Sequence, residues 1–504
     1  MIAPPRTKRP ALTIVFPAAV ILLTIASAMF LTGCRRPGLQ PNLPRIYSPP
    51  PAPGSGKPPV IFIPGMLGSR LVNRRTGQVV WPDLRVDGDK IALPISSPIL
   101  AQNIDEIVAT EVVEEAKVSA LIPEISVYGP LLEALERYGG YKRGSFDSPP
   151  PGGDCDTLYL FPYDWRRDVV ESARALGSKI EELKRRLGRP DLRFDVVTHS
   201  MGGLVARYYA MYGGRDVLDA AVVCPDWSGA LNLNRIVMIA APNAGSMNAL
   251  RVLLKGFSAM SFSGPFGAIS RKLSRKLSLA RVSPRVTFTI PAIYQLLPPR
   301  GQARFFNADL IPLPVDLYDV ETWRRFNWSA AFDESSRRHE WVRMSVRLGP
   351  TAASAESLKR AAEREGFLRA VLRRSAAFHN ALAVEAPPPP GLRFSFIGGD
   401  CIPTLDGAII IDGASPRTIF SAAELPGEKL SRRKAAELIS NPGDGTITRH
   451  SLFGRPPDAQ PAVAVQTSMR SAYVGTSLFC DSHNGLSRDR TMQDNLLTAL
   501  LINR

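Results

Sequence analysis

Short apolar runs alternate with amphipathic stretches along the chain from Pro59 onward, and the two periods predict strands and helices in turn. The first run, Val60-Ile61-Phe62-Ile63, leads at once into Pro64-Gly65-Met66-Leu67-Gly68. A second, Leu158-Tyr159-Leu160-Phe161, leads into Pro162-Tyr163-Asp164-Trp165-Arg166. After it Val169, Ala173, Leu176, Ile180, Leu183 and Leu187 form one apolar stripe, with Lys179, Glu181, Glu182, Lys184 and Arg185 on the other side, which predicts an amphipathic crossover helix. Next, Phe194-Asp195-Val196-Val197 precedes Thr198-His199-Ser200-Met201-Gly202-Gly203 and a helical stretch beginning near Leu204. Further strands are expected at Ile236–Ile239, Phe394–Ile397 and Ala472–Val474, and a last helix carries Leu486, Met492, Leu496, Leu497 and Leu500. Apolar strands separated by helices predict an α/β fold: a mainly parallel sheet with helices on both faces.

Two stretches interrupt this rhythm, Leu71 to Tyr128 and, far longer, Asn243 to Pro390. Both read as insertions at the loop ends of strands, where α/β folds carry lids and caps, and the run Pro387 to Pro390 marks re-entry to the core. Ahead of Pro59, a basic start (Arg6, Lys8, Arg9) and an apolar run from Ala11 to Leu31 have the layout of an export signal. The run ends in Leu31-Thr32-Gly33-Cys34, which resembles the bacterial lipobox, so Cys34 is expected to become the lipid-bearing N-terminus. The alternative is an uncleaved transmembrane anchor, since about 20 apolar residues cross a bilayer. Both place the remainder outside the cytoplasm, attached to the bacterial cell envelope. Arg35 to Pro59 is Pro-rich without an apolar period and reads as an extended tether. The expected organisation is a signal peptide (1–33), a tether (34–58), a first core segment (59–243, with the excursion 72–127), a cap (244–390) and a second core segment (391–504).

Composition bears on compartment and partners. The 504 residues, 45% of them hydrophobic, suffice for a large domain with insertions. Lys plus Arg (62) exceed Asp plus Glu (46), giving +16, which suits anionic lipid, an acidic substrate or nucleic acid. Much of the excess lies between Asn243 and Ala308, where Arg251, Lys255, Arg271, Lys272, Arg275, Lys276, Arg281, Arg285, Arg300 and Arg304 meet no Asp or Glu. There Leu273, Leu277 and Ala280 share a helical face beside the cationic pairs, after Phe257, Met260, Phe262 and Phe266, a pattern suited to an anionic membrane surface. A solvated face of the cap is the plainer alternative. An exported chain seldom meets nucleic acid, and no nucleic-acid motif appears. Cys155, Cys224, Cys401 and Cys480 allow one or two disulfides, or four small buried side chains. No Cys or His spacing suggests a metal, and no Gly-Lys-Ser/Thr follows Gly65 to Gly68 to cradle a phosphate, so no cofactor is expected.

Ser200 sits between an apolar strand and a helix, the setting that lifts a nucleophile out of a sheet, as in the α/β-hydrolase fold. Gly202 and Gly203 fit such an elbow because the helix must pack close to the strand, whereas Thr198 occupies the position where the elbow pattern expects glycine. A serine nucleophile needs a histidine to take its proton and a carboxylate to orient that imidazole, in the chain order serine, acid, histidine. Of the five histidines, His199 adjoins the serine, His339 and His379 fall in the cap, and His450 lies too near the best acid. His483 remains, in Asp481-Ser482-His483-Asn484-Gly485. Asp444, between Gly443 and Gly445, is the acid that falls between Ser200 and His483. The amides of Met66 and Met201 are the expected oxyanion donors.

Ile63-Pro64-Gly65-Met66-Leu67-Gly68-Ser69, Pro162-Tyr163-Asp164-Trp165-Arg166, His199-Ser200-Met201-Gly202-Gly203 and Gly443-Asp444-Gly445-Thr446 together resemble, in that order, signature segments of the lecithin:cholesterol acyltransferase family. That family includes lysosomal phospholipase A2 and phospholipid:diacylglycerol acyltransferases. The resemblance covers Pro59 to Asn243 and Leu392 onward, and leaves out the cap. It implies an α/β-hydrolase fold, Ser200 as nucleophile, Asp444 as acid, His483 as base, Met66 and Met201 at the oxyanion, His199, Gly202 and Gly203 supporting the elbow, and Asp164 and Trp165 lining or bracing the site. Residues 72 to 127 contain no cysteine, unlike the disulfide-clipped membrane loop of the animal enzymes.

The expectation is therefore a serine-dependent lipid acyl hydrolase or O-acyltransferase working on lipid esters at a membrane surface, by a ping-pong course through an acyl-enzyme on Ser200. Hydrolysis and transfer share every residue named. Two other classes stay open: a catalytically silent lipid-binding envelope lipoprotein, and an esterase acting on soluble or polymeric esters.

Overall fold

The computed structural model describes residues 40–47, 56–82, 88–116, 125–258, 281–329, 331–332, 334–425, 429–456 and 466–502. The expected signal peptide and Cys34 lie outside these residues, as do Arg271, Lys272, Leu273, Arg275, Lys276 and Leu277 of the basic amphipathic stretch. Among the described residues no helix is long and apolar enough to cross a membrane.

Seven strands form the central sheet: β1 (Val60–Ile63), β2 (Lys142–Gly144), β3 (Thr157–Leu160), β4 (Phe194–His199), β5 (Leu233–Ile239), β6 (Arg393–Gly399) and β7 (Tyr473–Phe479). They lie in the order β7-β6-β5-β4-β1-β3-β2, and every neighbouring pair is parallel. Parallel neighbours need a crossover, and the helices supply it. Helices α1 (Gly129–Arg137), α2 (Val169–Leu187), α3 (Met201–Tyr212) and α9 (Arg490–Leu501) pack on the sheet; the cap and its sequel contribute α4 (Met247–Lys255), α5 (Pro284–Phe288), α6 (Glu334–Leu348), α7 (Pro350–Ala383) and α8 (Lys429–Ile439). This is an α/β-hydrolase fold.

Strand side chains alternate between faces, so one buried strand feeds two cores. Ile61, Ile63, Val196, Ile236, Met238, Phe394 and Phe396 join Leu176, Ile180 and Leu183 of α2 in one. Val60, Phe62, Val197, Val237 and Ile239 join Leu131, Leu132 and Leu135 of α1 and Met492, Leu496 and Leu497 of α9 in the other. The stripe read along Val169 to Leu187 is thus the buried side of α2. Asp168 caps that helix by accepting from the Val170 amide, and Gly188, at φ 65°, ends it.

Two spans differ from their sequence-based description. Within the expected tether, Leu43–Ile46 forms a helical turn; Leu43 and Tyr47 are buried, and the Tyr47 hydroxyl bonds the Asp494 carboxylate at 2.9 Å. Within the expected cap, Phe367, Leu368, Val371, Leu372, Phe378 and Leu382 of α7 belong to the main core, with Phe378 stacked on Tyr208 of α3. The second half of α7 is the return crossover that β5 and β6 require.

Burial also sets a pH dependence. His379 and His199 are buried; burial first, then the charge of Arg207 on one and of His483 on the other, pushes their pKa values down to about 4 and about 3. Free imidazoles titrate near ~6.5, so the unfolded chain takes up these protons first as pH falls. The stability is whole above about pH 6.5 and is lost toward about pH 4 for His379 and about pH 3 for His199, each imidazole steepening the loss by about 1.4 kcal/mol per pH unit. Melting temperature is expected to fall steadily over that window; a flat profile would contradict neutral burial of both rings.

Candidate active site

The site lies at the carboxyl edge of the sheet, where β1 and β4, neighbours in space, send their chains apart. After β4 the backbone turns at Ser200, which takes φ 51° and ψ −126°, and α3 starts at the next residue. A side chain in this left-handed region is strained, so the turn is held from outside. The Ser200 amide donates to the Ile239 carbonyl of β5 at 2.8 Å. Close packing does the rest: a Cβ at Gly202 would stand 2.5 Å from the Ile63 carbonyl oxygen, and one at Gly203 would stand 2.5 Å from Ala241 Cβ. Thr198 is fully buried in β4 and its hydroxyl donates to the Val237 carbonyl at 3.3 Å. The residue two before the serine is therefore still strand, and a threonine is accommodated.

The turn after β1 faces this elbow. A Cβ at Gly65 would meet Ser200 Cβ at 2.8 Å, so only glycine lets the two turns approach. The Tyr163 hydroxyl donates to the Pro64 carbonyl (2.9 Å), Trp81 Nε1 to the Leu67 carbonyl (2.8 Å) and Trp165 Nε1 to the Ser69 carbonyl (3.2 Å). Trp165 therefore braces the turn from within the core. Asp164 instead pairs with buried Arg166 at 2.7 Å, whose other nitrogen reaches Asp105 of the first excursion at 2.7 Å, so this pair ties that excursion to the segment after β3. Among the described residues the amides of Met66 and Met201 donate to no other protein group. Met201 is the first residue of α3, where helix geometry leaves amides without partners.

Asp444 follows Ser440–Gly443, a strand paired antiparallel with Ile402–Leu405 beyond β6. Its Oδ1 accepts from the Thr446 and Ile447 amides at 2.8 and 2.7 Å, and its Oδ2 meets His483 Nδ1 at 2.8 Å. Both residues are buried, and the His483 amide also donates to the Asp444 carbonyl at 2.9 Å. Since Oδ2 is an acceptor, Nδ1 carries the proton and Nε2 is the open, basic edge of the ring. Among the described residues neither Nε2 of His483 nor Oγ of Ser200 bonds a protein group. A Cys401–Cys480 disulfide ties the end of β6 to the end of β7, the two strands whose loops carry Asp444 and His483.

His199 links the three loops. Its ring lies 4.7 Å from that of His483, its Nε2 is 3.2 Å from the His483 carbonyl, and its Nδ1 is 2.9 Å from the Tyr128 hydroxyl. The carbonyl requires the proton on Nε2, so Nδ1 accepts from Tyr128, whose oxygen in turn accepts from the Gly65 amide at 2.9 Å. The histidine set aside for adjoining the serine thus joins the His483 loop to the turn after β1. Tyr128 carried no signal in the sequence beyond ending an excursion, and the Cys401–Cys480 pairing was one of several possible. His450 pairs with Asp406 at 2.7 Å, away from Asp444. Tyr128→Phe would leave the Gly65 amide and His199 Nδ1 without partners in a dry site, so stability is expected to drop by about 1–3 kcal/mol, read by denaturant unfolding.

Comparison with known proteins agrees with this architecture. Residues 152–308 match the family model described as Lecithin:cholesterol acyltransferase, so the resemblance first seen in short segments extends over α2, the serine elbow and the start of the cap. No curated protein matches. The crystal structure of the Tle4-Tli4 complex contains a chain 15% identical, with TM-score 0.50, covering 88% of this chain and 98% of that one. The lin2722 gene product from Listeria innocua (11% identical, TM-score 0.33, 88% and 94% covered) and lipase 1 from Pelosinus fermentans (11%, 0.33, 88% and 98%) are also similar. At 15% identity the likeness to the chain of the Tle4-Tli4 complex is one of fold alone.

Proposed function

We propose that this chain is a lipid ester hydrolase or O-acyltransferase that works through an acyl-enzyme on Ser200. The observation that carries the reading is the buried Asp444–His483 pair, its Nε2 edge open, with the His483 ring 4.7 Å from that of His199, the residue directly before a serine held at positive φ on a strand-to-helix elbow. The match to the lecithin:cholesterol acyltransferase model over residues 152–308 supports lipid esters as substrates. Residues on three separate loops serve one reaction. Nε2 of His483 takes the Ser200 proton as Oγ attacks the acyl carbonyl, and the oxyanion receives the Met66 and Met201 amides. The carbonyl re-forms as the C–O bond breaks, and His483 returns the proton to the departing alcohol. Water or a lipid alcohol then repeats the sequence on the acyl-enzyme, giving free acid or a new ester. The serine–imidazole hydrogen bond forms as substrate enters, since such contacts are often open in ligand-free enzymes.

Export, a lipid on Cys34 and a membrane surface as the place of work belong to the same proposal. The Cys401–Cys480 disulfide supports it, because such bonds persist outside the reducing cytoplasm. A fluorophosphonate probe should label the wild type and leave Ser200→Ala unlabelled; equal labelling of both sinks the serine mechanism. Liposomes with and without a sterol or diacylglycerol acceptor, with free acid and new ester both quantified, decide between hydrolysis and transfer. Turnover of short soluble esters alone would remove the lipid claim.

A further inference from the structure

A second concave site lies apart from the serine elbow. Helices α6 and α7 run back to back through Gly349, at φ 82°, and with α5 they enclose a cavity of about 510 Å³. Arg285, Arg343, Arg347, Arg360 and Arg364 line it against one carboxylate, Glu340. The cluster is built by helical spacing: Glu340, Arg343 and Arg347 recur at three and four residues on α6, and Arg360 and Arg364 at four on α7, so each set shares a face. Glu340 is divided between Arg360, at 2.8 Å, and Arg364. Among the described residues Arg343 and Arg347 form no ion pair with Glu340 or any other carboxylate. Ile95 from the first excursion, Phe288 and Met344 add apolar wall beside the guanidinium groups.

Like charges gathered in a concavity repel one another, and a bound anion removes that cost. Guanidinium forks match phosphate oxygens two at a time, and an apolar wall beside them suits the glycerol and first acyl carbons of a lipid. We propose that this cavity binds a phosphate monoester or diester, carried by an anionic lipid headgroup or by a free phosphate ester. None of its lining residues belongs to the Ser200 site, so the inference does not depend on the proposed chemistry.

The test uses the Arg343→Gln/Arg347→Gln pair, both exposed on α6, against an Arg75→Gln/Lys142→Gln control with the same charge loss outside the cavity. Circular dichroism and melting establish that each is folded. Flotation with vesicles of phosphatidylcholine, with and without phosphatidylglycerol, reads the lipid arm; titration with glycerol phosphate reads the soluble arm. The expected result is weakening on the order of tenfold or more in the cavity variant, with the control near wild type. Weakening confined to phosphatidylglycerol vesicles identifies the headgroup as the ligand; weakening with glycerol phosphate identifies the free ester. Ser200→Ala is expected to bind as wild type does, so loss of ester turnover and loss of anion binding are separately readable. Equal binding by the cavity variant and the control, or no phosphate-dependent binding by the wild type, overturns the proposal.

Discussion

Replacing Ser200 with alanine is expected to lower kcat on any accepted ester by on the order of 10⁶-fold, the loss seen when an acyl-transfer nucleophile is deleted. Folding should survive, because the elbow is held by the Ser200 amide bond to Ile239 and by the fit of Gly202 and Gly203, none of which uses the hydroxyl. Glycine at the same position adds a second reading. Ser200 takes φ 51°, a conformation costly for any residue with a Cβ, so Ser200→Gly should be equally inactive yet melt higher, by the equivalent of about 1 kcal/mol. Steady-state rates with a chromogenic ester and thermal melts of both variants measure this. Residual kcat within tenfold of wild type, at the ~1.4 kcal/mol that tenfold represents, would place the chemistry elsewhere.

Asp444→Asn should cost on the order of 10⁴-fold in kcat while leaving the site assembled. The reason lies in what the carboxylate faces. Its Oδ1 accepts from two amides, so the asparagine carbonyl must stay there and its NH₂ must turn to His483. An NH₂ donates, which forces Nδ1 of His483 to accept and moves the ring proton to Nε2. The open edge then presents a proton where the serine needs a base. Comparing kcat of wild type and variant at a pH above the imidazole range isolates the tautomer from the charge state, and a variant within tenfold of wild type there would remove Asp444 from the mechanism.

How much of this was legible in the sequence depends on how local the governing physics is. Strands β1, β3, β4, β5 and β6 stand out because strands buried on both faces are continuous apolar runs, and α2 stands out because a half-buried helix repeats near every 3.6 residues. Strand β2, Lys142–Gly144, has no such signal; it is an exposed three-residue edge held by pairing with β3. The docking of Leu43 and Tyr47 on α9 was hidden for a related reason, since two anchoring side chains in a Pro-rich stretch form no period.

Ser200, Asp444 and His483 could be singled out from residue type, flanking glycines and order along the chain. Sequence alone also determined the fold class, because alternation and helical period are properties of neighbours. Tertiary structure decided the rest. Only packing across the sheet brings Tyr128, His199 and His483 into one hydrogen-bonded line, selects Cys401 and Cys480 as partners, and makes the second half of α7, at the end of the expected cap, a core helix. Only the α6–α7 hairpin gathers four of the arginines around one cavity. Contacts between residues far apart in the chain depend on where the crossovers return it, and no local pattern of hydrophobic and polar positions encodes that.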